Sequence, residues 1–499
     1  MTPDHVLILN AIPDQYYFRS IAGAALERGS KVTVYCHDSE AYNYRHCFKA
    51  GASQLPYFDF LQPQPWESDP AQEKRLRELV RDCERKSGRS FGRILLTGER
   101  ELVRAWTEHE YYWFNTRLQQ LCRKDASYAE RVVLRCFSFW EQQLDLLDVE
   151  VVLGRANCDF TIHPLYLLCE LRGIPFLSLR NSKCLAKRIY WTDDLLMDNT
   201  RGQRRYEEKM ESGEAIGTAG RNRLDSFLNA PAPSAYILEN WKNFARLSLA
   251  STPAQAWQLV REKLRHVRKG FQGPPLAPVF SRIVEMYRIL WCKMAHRKYF
   301  RSFSPDELKG MSYCLLPLHK EPELMLNFRA PLWHTQRHCI KFVGSMLPLG
   351  LDLLVREHKG NGGRRFTRWL KSVSRYPRTI LADPFGSQYP YIANASLVVT
   401  DNGTAGWEGI MFGKPVVTLE KCFYDVVGLA VRCTNPNKLD ESIFEAQKRQ
   451  VPKEERERRI CLFLDAEYET TLDRAEAHKD MELTLNHIQE VLQSREEAQ

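Results

Sequence analysis

Between Val398 and Thr418 the chain reads Val-Val-Thr-Asp-Asn-Gly-Thr-Ala-Gly-Trp-Glu-Gly-Ile-Met-Phe-Gly-Lys-Pro-Val-Val-Thr, which compresses a strand, a small-residue turn, a helix start and a second strand into one short stretch. Ala395 to Thr400 is apolar and β-branched, Asp401 to Thr404 supplies turn and N-cap residues, and Ala405 to Phe412 leaves room for a short helix before Gly413 stops it. Such a turn aims backbone N–H groups at whatever lies above the strand ends. The positive end of the helix dipole there favours an anion such as phosphate.

A chain of 499 residues exceeds one ordinary core, so two domains are expected. The 14 cysteines include no C-x-x-C pair and read as reduced, buried thiols of a cytoplasmic protein. Met1-Thr-Pro-Asp-His5 lacks a basic-then-apolar leader, and no apolar run approaches the roughly 18 residues of a membrane span. The net charge of +9 is localised: residues 201–310 hold 20 Lys and Arg against 10 Asp and Glu, leaving 51 against 52 elsewhere.

Strand and helix signals alternate at the start. His5 to Asn10 reads as a strand, Asp14 to Arg28 as a helix closed by Gly29, and Lys31 to Cys36 as a strand; Val149 to Leu153, the helix around Leu165 to Leu171 and Ile174 to Leu179 repeat the unit. A second series follows at Tyr313 to Pro317, Leu351 to Val355, Thr379 to Leu381, Ser396 to Thr400 and Pro415 to Leu419. This alternation predicts an α/β protein with two Rossmann-like, doubly wound domains facing a cleft, with ligands outside the carboxyl ends of the strands. The expected boundaries are 1–200 for the first domain, 201–310 for a helical basic insertion or linker, 311–450 for the second domain and 451–499 for a charged helical tail without a motif. Within the insertion Trp257, Val260, Leu264 and Val267 share one helical face, as do Phe280, Ile283, Val284, Tyr287, Leu290, Trp291 and Met294, with Arg and Lys on much of the remainder. Such stripes suit packing against the protein body, or contact with an anionic membrane through residues 255–303 on the inner face of the cell membrane. No recognised motif accompanies the charge, which argues against nucleic acid.

The chemistry-bearing residues cluster after strands. Arg356-Glu357-His358-Lys359 opens a glycine-containing loop able to hold a phosphate and move a proton near it; the bland alternative is a solvated basic loop. His319 and Glu323 lie in Pro317-Leu-His-Lys-Glu-Pro-Glu323, and Ser387 in Ala382-Asp-Pro-Phe-Gly-Ser-Gln388 is placed to donate to an anion. Trp407 reads as core. Asp14 and Asp159 follow the first and fourth strand signals and are either acceptor-side bases or helix caps. Asp193-Asp194 is adjacent rather than spaced D-x-D, so neither a metal nor a cofactor is expected.

The ordered set over about residues 310 to 425 resembles the capsular polysaccharide biosynthesis proteins, GT-B glycosyltransferases that include transferases of the acidic sugar Kdo. The resemblance is carried by Pro317-Leu318-His319 with Pro322-Glu323, Arg356-Glu357-His358, Asp383-Pro384 with Ser387, Thr400 with Gly403-Thr404, Gly406-Trp407-Glu408 and Gly413-Lys414-Pro415. Tyr17-Phe18 and Glu27-Arg-Gly29 are similar to that family's N-terminal half, less distinctively. Lys359 departs from the pattern, standing where the family has proline.

The resemblance implies a nucleotide-activated sugar, such as CMP-Kdo, on the C-terminal domain. Gly403, Thr404, Ser387 and His319 would hold its phosphate, Glu408 the ribose hydroxyls, and Arg356 with His358 would stabilise the leaving charge. The acceptor, a surface glycan or lipid-linked sugar, would bind the N-terminal domain. Transfer would be metal-independent and inverting, with Asp14, Asp159, Glu357 and His358 as the catalytic set. A nucleotide-sugar epimerase, a polyol-phosphate transferase and a noncatalytic assembly component stand beside this reading as alternatives.

Overall fold

The computed structural model describes residues 3–10, 14–58, 70–102, 121–122, 124–232, 294–321, 323–358, 361 and 365–496, with isolated helical positions between 253 and 291. It divides into two compact units. The first takes described residues up to Glu214 together with those from Asp465 onward, and the second runs from Ala215 to Leu464.

In the first unit the strands are β1 (His5–Leu9), β2 (Lys31–Cys36), β3 (Ser53–Pro56), β4 (Val151–Gly154), β5 (Phe176–Asn181) and β6 (Arg188–Thr192). With β13 (Leu472–Asp473) they form one sheet in the order β13-β6-β5-β4-β1-β2-β3. β3 to β5 are parallel through β1, β6 runs antiparallel to β5, and β13 antiparallel to β6. β1 is buried along its whole length, as expected of a strand covered on both faces. Its side chains alternate: Leu7 and Leu9 join the core beneath α2 (Ala126–Leu147) and α3 (His163–Arg172), while Val6 and Ile8 face α1 (Gln15–Glu27).

The tail from 451 onward is not a separate appendage. The segment after Leu464 returns to the first unit, where helix Met481–Glu496 lays Ile488 and Val491 on the α1 face and Thr484 Oγ1 shares a 2.8 Å hydrogen bond with Tyr17 Oη. α4 (Thr200–Ser212), assigned from sequence to the insertion, likewise belongs to the first unit and ties to the returning segment through ion pairs of Arg205 and Lys209 with Glu469. The sequence hid both contacts, because the groups that make them are far apart along the chain.

The second unit carries β7 (Tyr313–Pro317), β8 (Asp352–Arg356), β9 (Thr379–Ala382), β10 (Leu397–Thr400), β11 (Val416–Thr418) and β12 (Val431–Arg432), all parallel, in the order β12-β11-β10-β7-β8-β9. α5 (Thr404–Met411) follows β10 and ends at Gly413, whose φ of +71° is the left-handed conformation glycine tolerates. α6 (Lys453–Glu469) begins in this unit, with Cys461 and Phe463 fully buried.

Of the insertion stripes, Leu290 is buried, whereas Trp257, Tyr287, Trp291 and Met294 are exposed. Leu264, Val267, Phe280 and Val284 lie outside the described residues, as does Lys359. The thirteen described cysteines are buried thiols, none in a disulfide. No helix among the described residues is long and apolar enough to cross a membrane.

Candidate functional site

In a doubly wound sheet the crevice forms where the strand order reverses direction. In the second unit that point lies between β7 and β10, since β8 and β9 extend one way from β7, and β11 and β12 the other way from β10. His319 stands two residues beyond β7 and Asp401 directly beyond β10. His319 Nε2 lies 2.8 Å from Asp401 Oδ1, and Nδ1 lies 3.4 Å from Glu323 Oε2. Burial alone would lower the His319 pKa, but the two carboxylates outweigh it and push it up to about 10. The imidazole is therefore a permanent cation near neutral pH. Glu323, its side chain 35% exposed, is held below the usual carboxylate range by the same histidine. The trio sums to −1, and both ring N–H groups of His319 are directed at carboxylates, one at Asp401 and one at Glu323.

The turn above it is fixed from both sides. Gly403 N donates to Thr400 Oγ1 at 3.1 Å, and the Tyr424 hydroxyl donates to Gly403 O at 3.2 Å. That hydroxyl fills the place a Cβ on Gly406 would take, so only glycine fits there. A Cβ on Gly403 itself would come within 3.4 Å of His319 Nε2. Gly403 and Thr404, at the start of α5, are thus joined to His319 at the switch point, as the motif order predicts. Trp407 points away and packs with Phe423, Tyr424 and Phe463 in the core.

The β8 loop departs from its expected role. Glu357 and Glu321, both about 1% exposed, flank Arg365: Nε lies 2.7 Å from Glu357 Oε2 and Nη1 2.5 Å from Glu321 Oε2. Asn361 Nδ2 also donates to Glu357 Oε1 at 2.9 Å, while the guanidinium covers the Trp369 ring at 4.2 Å. Glu357 is therefore committed to a buried triad that locks the β7 and β8 loops together. It is not presented as an acid or base. Arg356 is likewise occupied, donating to the carbonyls of Gly386 at 2.6 Å and Pro384 at 3.3 Å, so it shapes the β9 loop from beneath. His358 has a pKa lowered chiefly by burial and is neutral at pH 7, a hydrogen-bonding group rather than the cation the sequence suggested. Ser387 is exposed and its Oγ accepts from Tyr389 N at 3.4 Å, which leaves the hydroxyl proton to donate.

Glu408 lies 7% exposed on α5 and accepts from Gln388 Nε2 at 2.7 Å. Burial pushes its pKa up to about 8, against the pull of Gln388, Arg356 and Arg223. At pH 7 it is mostly a neutral acid. Asp401, Glu321, Arg365, Asn361 and Gln388 went unread in the sequence. For Asp401 a usable signal existed, an acid placed directly after a buried β-branched strand.

In the first unit the reversal falls between β1 and β4. Asp14 sits there, 6% exposed, ion-paired to both Arg155 and Arg474. Its side chain makes no capping bond to α1. Asp14 holds the N-cap position of α1 through its backbone carbonyl, which accepts from Tyr17 N at 2.9 Å, while its carboxylate, shared by two guanidiniums, is a poor proton acceptor. Asp159 stands in the turn before α3, whose N-cap is Ile162, with Oδ1 accepting from Thr161 N at 2.9 Å and Thr161 Oγ1 at 2.7 Å. A cavity of about 510 Å³ lies at the opposite end of this sheet, beside Tyr166, Trp191, Arg201 and Arg495, and contains none of the expected site residues.

Fold and site together define a two-unit α/β protein with charged side chains gathered at each switch point, the second of which also carries the start of α5. No family model matches the chain, and no curated protein matches it. Solved structures similar to it include the Thermosulfurimonas dismutans KpsC beta Kdo 2,7 transferase, 12% identical over 64% of this chain and 79% of that one, with a TM-score of 0.28. Others are the calicheamicin glycosyltransferase CalG4, 12% identical over 97% and 99% with a TM-score of 0.29, and the Neisseria meningitidis UDP-GlcNAc 2-epimerase, 11% identical over 96% and 99% with a TM-score of 0.28. At such scores these likenesses carry no argument, and the fold class rests on the strand orders above.

Proposed function

We propose that the chain is a glycosyltransferase using a nucleotide-activated sugar, with the donor phosphate at the N-terminus of α5 and the acceptor on the first unit. The observation carrying this reading is the contact of His319 with Asp401 directly beneath the Gly403-Thr404 turn, where the loops after β7 and β10 converge. Backbone N–H groups of a helix start and the exposed Ser387 hydroxyl suit a leaving phosphate, with His319 tying together the two loops beneath them. Glu408, neutral at pH 7, can both donate to and accept from ribose hydroxyls. With Asp14 held by two arginines, Asp159 remains the candidate acceptor base of the first unit. CMP-Kdo is the donor suggested by the motif resemblance, and transfer to a surface or lipid-linked glycan the corresponding reaction.

Exposed Trp257, Tyr287, Trp291 and Met294 beside the basic segment support docking on an anionic membrane surface. Anionic liposomes are expected to sediment the protein and salt to release it; no sedimentation at low salt removes this part of the reading.

The deciding experiment is thermal stabilisation by a nucleotide panel, since a ligand of the native state raises the midpoint with log affinity. CMP is expected to exceed UDP and GDP, and His319→Ala to abolish the shift. A flat response to all nucleotides refutes a nucleotide-sugar enzyme. Product formation from a nucleotide sugar without any acceptor would favour an epimerase.

A further inference from the structure

The cavity at the far end of the first unit's sheet holds polar groups that no described residue engages. Its walls come from four stretches of that one unit: α3, the end of β6 with the turn after it, the start of α4, and the last turns of helix Met481–Glu496. At about 510 Å³ it lies within the roughly 300–1,000 Å³ of small-molecule sites. Tyr166 is 4% exposed, and its ring is held in the core between His163, stacked at 5.8 Å, and Phe176, edge-on at 5.6 Å. The hydroxyl is the end left to face the cavity, and it has no hydrogen-bond partner among the described residues. A buried hydroxyl in that position is costly unless a polar group meets it.

The charged groups of the wall divide into engaged and open ones. Arg201 is matched by Glu490 at 2.7 Å and Arg495 by Glu170 at 3.5 Å. Arg204, exposed and one turn beyond Arg201 on α4, makes neither a hydrogen bond nor an ion pair with any described residue, and the same holds for Asp193. Thr200 and Ser494 line the cavity with hydroxyls equally unengaged among the described residues. Thr200 also opens α4, a helix of 13 residues, so the positive end of its dipole lies at the same wall.

We propose that this cavity binds a phosphorylated sugar, with the phosphate on Arg204 and the start of α4 and the sugar hydroxyls on Asp193 and Tyr166. An open guanidinium beside a helix start suits a phosphate, whereas an open carboxylate accepts from hydroxyls and repels a second anion. The space holds a sugar ring as well as the phosphate, and its neutral hydroxyls suit a polyol rather than an apolar body. All of its walls belong to the first unit, while His319 and the start of α5 belong to the second, so the site does not rest on the transferase reading. A ligand touching α4, the turn after β6 and the final helix at once fastens the returning tail to the first unit.

The test titrates the full chain with D-glucose 6-phosphate by calorimetry, with D-glucose and inorganic phosphate as comparators, and follows hydrogen exchange in helices Thr200–Ser212 and Met481–Glu496. Glucose 6-phosphate is expected to bind at least about tenfold more tightly than either comparator and to slow exchange in both helices. Arg204→Gln should weaken it by about tenfold or more, Arg204→Lys by less, and Tyr166→Phe by about threefold. Because Arg204 holds nothing else in the fold, its replacement should leave the melting curve of the free protein in place. His319→Ala should leave glucose 6-phosphate binding intact, and Arg204→Gln should leave any nucleotide-induced midpoint shift intact. No binding to the wild type, wild-type affinity in Arg204→Gln, or glucose or phosphate binding as tightly as glucose 6-phosphate each overturns the proposal. A flat nucleotide panel alongside intact glucose 6-phosphate binding would remove the transferase reading and leave this site standing.

Discussion

Replacing Arg365 by Met removes the cation paired with both Glu321 and Glu357 while retaining much of the side-chain volume. All three residues are within 2% of full burial, so the carboxylates cannot recover water. Removing one partner from such a group typically costs about 3–5 kcal/mol, here including the cation–π contact with Trp369. For a unit of this size that is a fall of roughly 6–20 °C in midpoint. The sign with pH follows from the remaining acids. Without the guanidinium, burial and mutual repulsion raise both folded-state pKa values above those of the unfolded chain, so the variant binds more protons when folded. Its deficit should be smallest near about pH 5 and grow as pH rises, the folded state losing ground as each acid is forced to ionise. Thermal unfolding read by near-ultraviolet circular dichroism between about pH 5 and 8 measures this, and adding Glu321→Gln and Glu357→Gln should restore much of the loss. A deficit below about 1 kcal/mol, or one indifferent to pH, would refute the claim that the triad is an ionised lock on the two loops.

Other outcomes follow from the same geometry. Glu408 has a folded pKa of about 8, above its unfolded value, so its contribution is complete in acid and lost as pH rises through about 8; Glu408→Gln should flatten that decline in stability. His319 stabilises below its unfolded pKa and loses that contribution towards pH 10, so His319→Gln should lower stability at pH 7 and converge with wild type above about pH 10. Gly406→Ala drives a methyl into the Tyr424 hydroxyl and should cost about 1–3 kcal/mol in denaturant unfolding; with Tyr424→Phe the double variant should lose less than the sum, and strict additivity would show that the collision is relieved elsewhere. Trp291→Ala should leave the melting curve within about 0.5 kcal/mol of wild type while reducing liposome sedimentation, since the ring is 62% exposed.

Both sheets were legible because parallel strands buried on two faces must be short apolar runs, as at Val6 to Leu9 and Val398 to Thr400. β3, β12 and β13 were missed, each being short and at a sheet edge, where hydrophobic periodicity has little to register; β6, though buried between β13 and β5, was missed as well. The meeting of His319 with Gly403 followed from motif order. The partners that set their chemistry, Asp401 and Glu323 for His319 and Arg365 for Glu357, did not.

The sequence by itself determined two doubly wound halves, the helix start at Gly403 and Thr404, and the placement of chemistry-bearing residues after strands, because these depend on local propensity and on which residues lie within a few positions of one another. Only the tertiary structure decided charge state and availability: that His319 is a cation, His358 neutral and Glu408 largely protonated, and that Glu357 and Asp14 are already spent. Those properties are set by burial and by partners as distant as Arg474 is from Asp14, and Coulombic neighbours brought together by folding leave no trace in the local pattern of the chain.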